Sequence, residues 1–339
     1  MSNKLLSIIV PMYNVERYIK ECLDSLVLDD ASLMECLEVI VVNDGSTDRS
    51  AEISREFVKR YPGTFYQIDK ANGGHGSACN KGLECARGKY IRFLDSDDWL
   101  TGLDQLMEKL AVCDADFVIT RLRWLYQDSG SVVTTSIPAI TNKTLPVNCL
   151  DPSIIAEYKY ITNFGCSTYK AEWLKPTCPL FLEGVLYDDA ILYIAPLLYA
   201  HSFIAYDIVL YNYRMGREGQ SMDMRRQIER VPDRLKVLQQ MDSLIKSAEE
   251  ERDGRTTELI EEEMDDRRLV LIKLLCQVKP YRKAASYDRL FKSIGSSVVN
   301  PPSNQIKRYN KYPFFLFYWL ERVRSVYLRL KFNDTHTAV

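Results

Sequence analysis

The stretch KYIRFLDSDDWL, residues 89–100, contains the side chains best suited to chemistry. An apolar segment of strand length ends there in Asp95, Asp97 and Asp98. Carboxylates this close repel one another and resist burial unless water, a helix start or a cation compensates their charge. At an extended strand end Asp95 and Asp97 point to the same side. Such oxygen ligands suit Mg²⁺ or Mn²⁺, which bind through one or two carboxylates together with substrate phosphates.

A second interpretation of the same stretch is structural. Ser96 or Asp97 could cap a helix that begins near Leu100, because Ser and Asp are preferred at the N-cap position. Asp98 could take the same capping role. The motif alone does not separate the two interpretations, and both hold if different members of the cluster have different functions.

The elements that must position these carboxylates alternate between strand and helix patterns over the first hundred residues. Apolar runs of strand length at 5–10, 37–43, 65–69 and 89–95 are separated by segments of helical period. This alternation predicts a mainly parallel sheet covered by helices on both faces. Ligands of such sheets bind beyond the carboxyl ends of the strands. The clusters PMYN, NDGSTD and DSDD follow three of these strands, so we expect them to converge on one site.

A glycine-rich turn, GGHGS at residues 73–77, opens a short helix. Its backbone N–H groups, that of Gly74 among them, could bind an anion. The turn is not a Walker loop, because the G-K-[ST] ending is absent. Asp44 in NDGSTD lies where a small carboxylate could meet the edge of a base or a sugar. This context favours a functional role for DSDD.

Four segments occur in order: SIIVPMYNVERYIKECLDSL, EVIVVNDGSTDRS, NGGHGSACNKGL and ARGKYIRFLDSDDWL. Together they resemble the N-terminal half of the family 2 glycosyltransferases. A looser match, FLEGVLYDDAILYIAPL at 181–197, is similar to the acidic motif of that family, and YNYRMGREGQSM at 211–222 resembles the segment that follows. The resemblance implies the GT-A type of α/β fold, with a mainly parallel central sheet flanked by helices and, here, a helical C-terminal extension.

The resemblance also implies roles for the matching residues. Asp97 would be the direct metal ligand and Asp95 would face the nucleotide side of the metal centre, with Mn²⁺ or Mg²⁺ as the ion. Asp189 would be the general base that takes the proton of the acceptor hydroxyl, and Asp188 is its neighbouring rival. The nucleotide-sugar donor would be bound by Pro11, Tyr13, Asn14, Asp44, Gly74, Asp95 and Ser96.

Two positions in the glycine turn depart from the pattern of the family. Many relatives carry an arginine before the asparagine that matches Asn80, whereas this chain has Cys79. The donor-phosphate contacts of that arginine therefore do not carry over. His75 occupies a variable position, and a lone histidine there is predicted to be a hydrogen-bonded structural residue.

Composition restricts the class of protein. The chain has 339 residues, 46% hydrophobic and 27% charged, with a net charge of −2, which gives no bias toward nucleic acid. Nine cysteines without a C-x-x-C pair suit reduced thiols in the cytoplasm. We predict a catalytic domain at 1–225, with a nucleotide-sugar-binding half at 1–105 and an acceptor-side half at 106–225. A helical region at 226–339 would follow.

The C-terminal segment 303–334 combines aromatic residues with seven basic and two acidic ones, a net charge of +5. Basic residues around an apolar aromatic run are typical of a helix on an anionic membrane surface. A core-packed terminal helix with a solvated basic face is the alternative, and both remain open. No segment reaches the roughly 20 apolar residues that span a bilayer. The prediction is therefore a cytoplasmic protein with possible peripheral contact at the inner face of the membrane.

The function expected from these observations is metal-dependent, inverting transfer of a hexose. The donor would be a nucleoside-diphosphate sugar, by resemblance a UDP-sugar, and the acceptor a glycan or a lipid-linked saccharide. One alternative is a catalytically inactive sugar-nucleotide-binding or assembly subunit. Another is a sugar-nucleotide pyrophosphorylase, but that enzyme needs a glycine-rich basic loop after the first strand, and PMYNVERY lacks it.

Overall fold

The computed structural model divides the chain into two compact units, Met1–Glu218 and Gly219–Val339. The predicted division after residue 225 falls within the second unit, and a functional separation of the two parts remains a prediction. The structure describes residues 4–136, 142–150, 164–177, 180–216, 223–248, 254–294 and 304–333. The second half of the motif YNYRMGREGQSM, from residue 217, lies outside these ranges.

The first unit contains one ten-stranded sheet in the described part of the chain. The strands run in the order β3-β2-β1-β4-β9-β6-β10-β5, with β7 beside β6 and β8 beside β10. Their bounds are β1 Leu6–Met12, β2 Leu37–Asn43, β3 Phe65–Asp69, β4 Tyr90–Phe93, β5 Trp99–Leu100, β6 Phe117–Tyr126, β7 Val132–Thr134, β8 Leu145–Pro146, β9 Ser167–Lys170 and β10 Ser202–Met215.

The strands β3, β2, β1 and β4 are parallel neighbours, as predicted. Every residue of β1 and β2 is buried, because helices cover both faces of a parallel sheet and leave no solvent face. Beyond β4 the sheet is mixed: β9 is antiparallel to both β4 and β6, and β6 and β10 are parallel. The mainly parallel arrangement thus holds for the first four strands, and their carboxyl ends form one edge of the sheet.

Seven α-helices belong to the described part of the first unit, and a 3₁₀ helix spans Asp188–Tyr193. The α-helices are α1 Ile19–Asp24, α2 Ala31–Cys36, α3 Ser50–Arg60, α4 His75–Cys85, α5 Leu103–Ala111, α6 Ala171–Leu174 and α7 Ala195–Tyr199. The helix α4 begins where Gly74 has a φ of +88°, a left-handed conformation that favours glycine. That turn carries the chain from the edge of the sheet into α4.

The second unit is helical in its described residues. Its helices are α8 Met224–Glu229, α9 Val231–Ser247, α10 Gly254–Leu275, α11 Tyr281–Ser293, α12 Asn304–Lys311 and α13 Phe314–Asn333. Phe314 and Phe317 of α13 are buried among aromatic rings that include Tyr309, whereas Phe315 and Trp319 are exposed. The same helix thus provides core residues on one face and apolar surface on another. None of the described helices is long and apolar enough to cross a bilayer.

Candidate functional site

The acidic stretch after β4 is a tight turn, in which the backbone N–H of Asp98 donates to the carbonyl of Asp95 over 3.0 Å. Carboxylate oxygens of Asp95, Asp97 and Asp98 lie within 4.8 Å of one another. Asp98 is buried, and the other two are half-buried. Three carboxylates at this distance repel one another, and a divalent cation with oxygen ligands would relieve that repulsion. The residues present therefore fit Mn²⁺ or Mg²⁺.

The helix-capping interpretation of this stretch is wrong. Residues Trp99–Leu100 form β5, which pairs with β10, and no helix begins there. The next helix, α5, begins at Leu103 after an N-cap at Gly102 and receives no side-chain cap. The turn is directed into the sheet because β10 offers a strand partner to the residues that follow Asp98.

Asp98 is the buried member of the cluster because β10 satisfies both of its oxygens. The hydroxyl of Tyr211 donates to Oδ2 over 2.7 Å, and the backbone N–H of Arg214 donates to Oδ1 over 2.8 Å. Burial raises the pKa of Asp98 well above its ordinary value, the charges of Asp97 and Asp95 raise it further, and these two hydrogen bonds oppose the rise. Asp98 therefore fixes the turn, and Asp95 and Asp97 present the more accessible oxygens.

The side chain of Arg214 holds the turn from its other side. Its Nε donates to the carbonyl of Asp97 over 3.1 Å, and a terminal nitrogen pairs with Glu21 of α1 at 2.7 Å. The guanidinium lies over the rings of Trp99 and Tyr18, 4.7 and 5.1 Å from their centroids. Trp99 is accordingly half-buried under a cation.

The loops after β1 and β2 converge, as the pattern predicts. The backbone N–H of Asp44 donates to the carbonyl of Met12 over 2.9 Å. The side-chain oxygen of Asn14 accepts from the backbone N–H of Thr47 at 2.8 Å, and Asn14 has a φ of +51°. Asn14 thus ties the two loops together. Pro11 is buried in β1, whereas the ring of Tyr13 is 50% exposed.

Asp44 is buried, and its carboxylate is engaged by the glycine turn. It accepts from the backbone N–H groups of Gly73 and Gly74 over 2.9 and 2.8 Å, and Lys70 Nζ lies 2.7 Å away. The N–H groups of the glycine turn do bind an anionic group, as predicted, but in this structure that group is the carboxylate of Asp44. Any donor contact of Asp44 or Gly74 would have to be made alongside these hydrogen bonds.

The same turn and α4 hold the acidic motif that begins at residue 181. The backbone N–H of Gly184 donates to the carbonyl of Gly73 over 2.9 Å. A Cβ on Gly76 would lie 2.3 Å from the carbonyl oxygen of Leu182, so only glycine allows this approach. Asn80 exchanges two hydrogen bonds with the backbone of Phe181, of 2.8 and 3.0 Å.

His75, the first residue of α4, joins the acidic motif to the acidic turn. Its Nδ1 lies 3.0 Å from Oδ2 of Asp188, and its Nε2 lies 3.3 Å from Oδ1 of Asp95. Burial lowers the pKa of His75, but the carboxylates of Asp188 and Asp95 raise it by more, so the net pKa lies well above its ordinary value. Burial also raises the pKa of the Cys79 thiol to about 11, and its Sγ lies 3.6 Å from Nε2.

Asp188 and Asp189 open the 3₁₀ helix and have different environments, as their adjacency predicts. Asp188 is buried against His75, and Asp189 is half-buried. Tyr187, before them, has a φ of +67°, so the backbone turns sharply into the helix. Asp189 therefore has the more accessible carboxylate of the two.

Two residues of the site received no role from the sequence, and a third, His75, received only a structural one. Tyr211 and Arg214 belong to the motif YNYRMGREGQSM, to which the sequence assigned no function. The available sign of a functional role was that these polar side chains stand among aromatic residues. His75 was predicted to be a hydrogen-bonded structural residue, and the hydrogen bonds are confirmed. That it joins two motifs was not predicted. Ser96 lies buried in the acidic turn, and its donor contact remains a prediction.

Residues 7–164 match the model of Glycosyl transferase family 2. The uncharacterized glycosyltransferase EpsJ of Bacillus subtilis is 45% identical over 100 residues, which are 29% of this chain and 27% of EpsJ. The similarity thus spans less than a third of either protein.

Two solved structures share the architecture. One is TarS residues 1–349 of S. aureus in complex with UDP, with a TM-score of 0.58 at 20% identity, covering 86% of this chain and 90% of that one. The other is the mannosyltransferase PcManGT of Pyrobaculum calidifontis in complex with GDP-Man and Mn²⁺, with a TM-score of 0.52 at 16% identity, covering 87% and 76%. At these identities the likeness concerns the fold, and the predicted GT-A fold is confirmed.

Proposed function

Because this chain contains a glycosyl transferase family 2 domain at residues 7–164, we propose that it transfers a hexose from a nucleoside-diphosphate sugar to a glycan or lipid-linked acceptor with inversion. A UDP-sugar is the proposed donor. The observation that carries the proposal is the imidazole of His75 between Asp95 and Asp188, which brings the acidic motif against the acidic turn. Inverting transfer needs a base on the acceptor side and charge stabilisation on the leaving-group side, and these two segments are suited to supply them.

We assign the divalent cation, Mn²⁺ or Mg²⁺, to Asp97 together with Asp95. These are the half-buried members of the acidic turn, whereas both oxygens of Asp98 are hydrogen-bonded to β10. When bound, such an ion neutralises the charge that builds on the departing diphosphate. Asp98 and Arg214 are assigned a structural role: their hydrogen bonds hold the acidic turn in place.

The base and ribose of the donor are assigned to the loops that carry Pro11, Tyr13, Asn14 and Asp44. The exposed ring of Tyr13 offers an apolar face on which a base could stack. Backbone groups of Gly74 and Ser96 would border the phosphates. The charge that an arginine supplies in many relatives is absent at Cys79, which makes the cation at the acidic turn more important for phosphate binding in this chain.

The proton of the acceptor hydroxyl is assigned to Asp189. As that oxygen forms its bond to the anomeric carbon, the bond from this carbon to the diphosphate oxygen breaks, and the electron pair leaves with the diphosphate. The proton passes to the Asp189 carboxylate. Asp188 is the less suitable base, because it is buried and its oxygens face the imidazole of His75.

Turnover of the donor tests the proposal. Purified protein would be incubated with a panel of UDP- and GDP-sugars, with Mn²⁺ or with a chelator, and release of nucleoside diphosphate would be measured beside thermal stabilisation. We expect metal-dependent release with one or a few UDP-sugars. Stabilisation without any release, also in the presence of glycan acceptors, would favour the inactive binding subunit. Release of nucleoside triphosphate on addition of pyrophosphate would favour the pyrophosphorylase.

We also infer that the second unit contacts an anionic lipid surface from the cytoplasmic side. Four apolar side chains on one face of α13 are exposed by 42–58%, namely Phe315, Leu316, Trp319 and Leu320. Residues 279–333 contain twelve basic and two acidic residues, a net charge of +10 in a chain of net charge −2. Exposed aromatic residues within a basic region suit the headgroup layer of an anionic membrane. This contact would place the enzyme near lipid-linked acceptors.

A further inference from the structure

His75 lies between two carboxylates that are distant in sequence. Its Nδ1 is 3.0 and 3.2 Å from the two oxygens of Asp188, and its Nε2 is 3.3 Å from Asp95. We propose that His75 is a positioning residue that fixes the distance between the metal-binding turn and the 3₁₀ helix that carries the base Asp189. This role rests on the proposed function, because it presupposes that the acidic turn binds the metal and that Asp189 is the base.

The geometry around the ring suits this role. An imidazole is planar and rigid, so two groups bound at opposite ring nitrogens keep a fixed separation. The ring itself is held at the start of α4, with the aromatic rings of Phe164 and Phe181 at 6.0 and 6.5 Å and the sulfur of Cys79 at 3.6 Å. Rotation of the ring would break both carboxylate contacts at once.

The positions of Asp95 and Asp188 explain why a substitution beside the base should alter metal binding at the acidic turn. Asp188 directly precedes Asp189 in the 3₁₀ helix, and only 2% of its side chain is exposed, so it moves with the backbone that carries the base. Asp95 belongs to the turn that offers oxygens to the metal. The ring of His75 is therefore a direct contact between the two segments. Side chains of this kind behind a metal ligand typically change metal affinity by about 10- to 100-fold when removed.

A double-mutant cycle tests the coupling. The wild type, His75→Ala, Asp188→Asn and the double variant would be titrated with Mn²⁺ in the presence of UDP, with free Mn²⁺ followed by electron paramagnetic resonance. Asp188→Asn should weaken Mn²⁺ binding about tenfold in the wild-type background, although Asp188 is not itself a ligand. In the His75→Ala background it should change the affinity by less than about twofold. His201→Ala, a change at the exposed histidine that precedes β10, is the matched control and should leave the affinity unchanged.

Circular dichroism at the titration temperature verifies that each variant is folded, and His75→Gln replaces His75→Ala if the latter does not fold. A purely structural role would lower the melting temperature but leave Mn²⁺ affinity in the folded protein unchanged, which would overturn the proposal. Equal effects of Asp188→Asn in both backgrounds would overturn it as well. A wild type that binds no Mn²⁺ with UDP would instead contradict the proposed function itself.

Discussion

The hydroxyl of Tyr211 donates a 2.7 Å hydrogen bond to Oδ2 of Asp98, from a strand 113 residues further along the chain. The same strand supplies the backbone N–H of Arg214 to Oδ1. One carboxylate of the acidic turn is thereby buried and fixed, and its two neighbours remain half-buried at the edge of the sheet. We therefore expect the motif around Tyr211 to set the orientation of the acidic turn to which the metal is assigned.

Tyr211→Phe tests this function. Removal of the hydroxyl leaves Asp98 with one of its two hydrogen bonds, so the turn loosens and Mn²⁺ affinity should fall about tenfold. Tyr90→Phe is the matched control, because the Tyr90 hydroxyl makes a buried 3.2 Å hydrogen bond to the carbonyl of Ala115, away from the turn. Both variants should lose about 1 kcal/mol of stability, and only Tyr211→Phe should lose metal affinity. Equal affinities in the two variants would show that Tyr211 does not orient the turn.

The two neighbouring carboxylates of the acidic motif should differ in effect. Asp189→Asn should retain donor and metal binding and lose transfer by about 10²- to 10⁴-fold, because an amide cannot accept the hydroxyl proton. Asp188→Asn should reduce transfer by about tenfold, through the contact with His75. Steady-state kinetics and UDP binding on the same preparations separate the two effects. The opposite ranking would assign the base to Asp188.

Gly76→Ala should damage the site through packing alone. The added Cβ would lie 2.3 Å from the carbonyl oxygen of Leu182 and 2.7 Å from Oδ2 of Asp188, so the acidic motif must move. We expect a loss of about 1–3 kcal/mol in stability and a lower transfer rate. Gly63→Ala is the comparison, because its Cβ would meet nothing within 4 Å and only its φ of +87° is unfavourable. It should cost about 1 kcal/mol in stability and leave transfer unchanged, and an unchanged Gly76→Ala enzyme would refute the prediction.

The sequence allowed prediction of the parts of the fold that depend on local pattern. The parallel strands at Leu6–Met12 and Leu37–Asn43 follow from continuous apolar runs, and the acidic turn from its position after another such run. Helix capping by the acidic turn was a reasonable local alternative, and it failed because β10 pairs with Trp99–Leu100. The local sequence around the acidic turn contains no information about β10, a strand that pairs with the residues after the turn from more than 100 residues away.

The contacts of His75 show the same limit. A histidine in a glycine turn has no partner visible in the sequence, and its two partners, Asp95 and Asp188, both lie further along the chain, the second of them 113 residues away. The resemblance to a family located both carboxylates without linking them. Only the three-dimensional packing of the acidic motif on α4 reveals the link.

The membrane contact should depend on the exposed face of α13 and on salt. Replacing Phe315, Leu316, Trp319 and Leu320 by serine should abolish co-sedimentation with vesicles that contain anionic lipid, while the buried Phe314 and Phe317 keep the unit folded. The basic residues should each contribute about 1 kcal/mol near the surface, a contribution that salt screens. Binding of the wild type should therefore decrease as the salt concentration rises.

The control for this experiment replaces three exposed apolar residues of the first unit, Val112, Val132 and Val133, by serine. This change should leave vesicle binding unchanged. Equal sedimentation of the wild type and the α13 variant would contradict a membrane role for this face. Concentration-dependent self-association that the α13 variant loses, without vesicle binding, would instead indicate that a second copy of the chain covers it.

Metal-dependent binding of UDP by the acidic turn is the central claim, and isothermal titration of UDP into wild type and Asp97→Asn tests it most directly. The wild type should bind UDP with Mn²⁺ and lose most of that affinity with a chelator. Asp97→Asn should bind UDP weakly under both conditions at an unchanged melting temperature, and Asp104→Asn, a change at an exposed aspartate of α5, should behave as the wild type. UDP binding by Asp97→Asn with the Mn²⁺ dependence of the wild type would contradict the assignment of the metal to this turn.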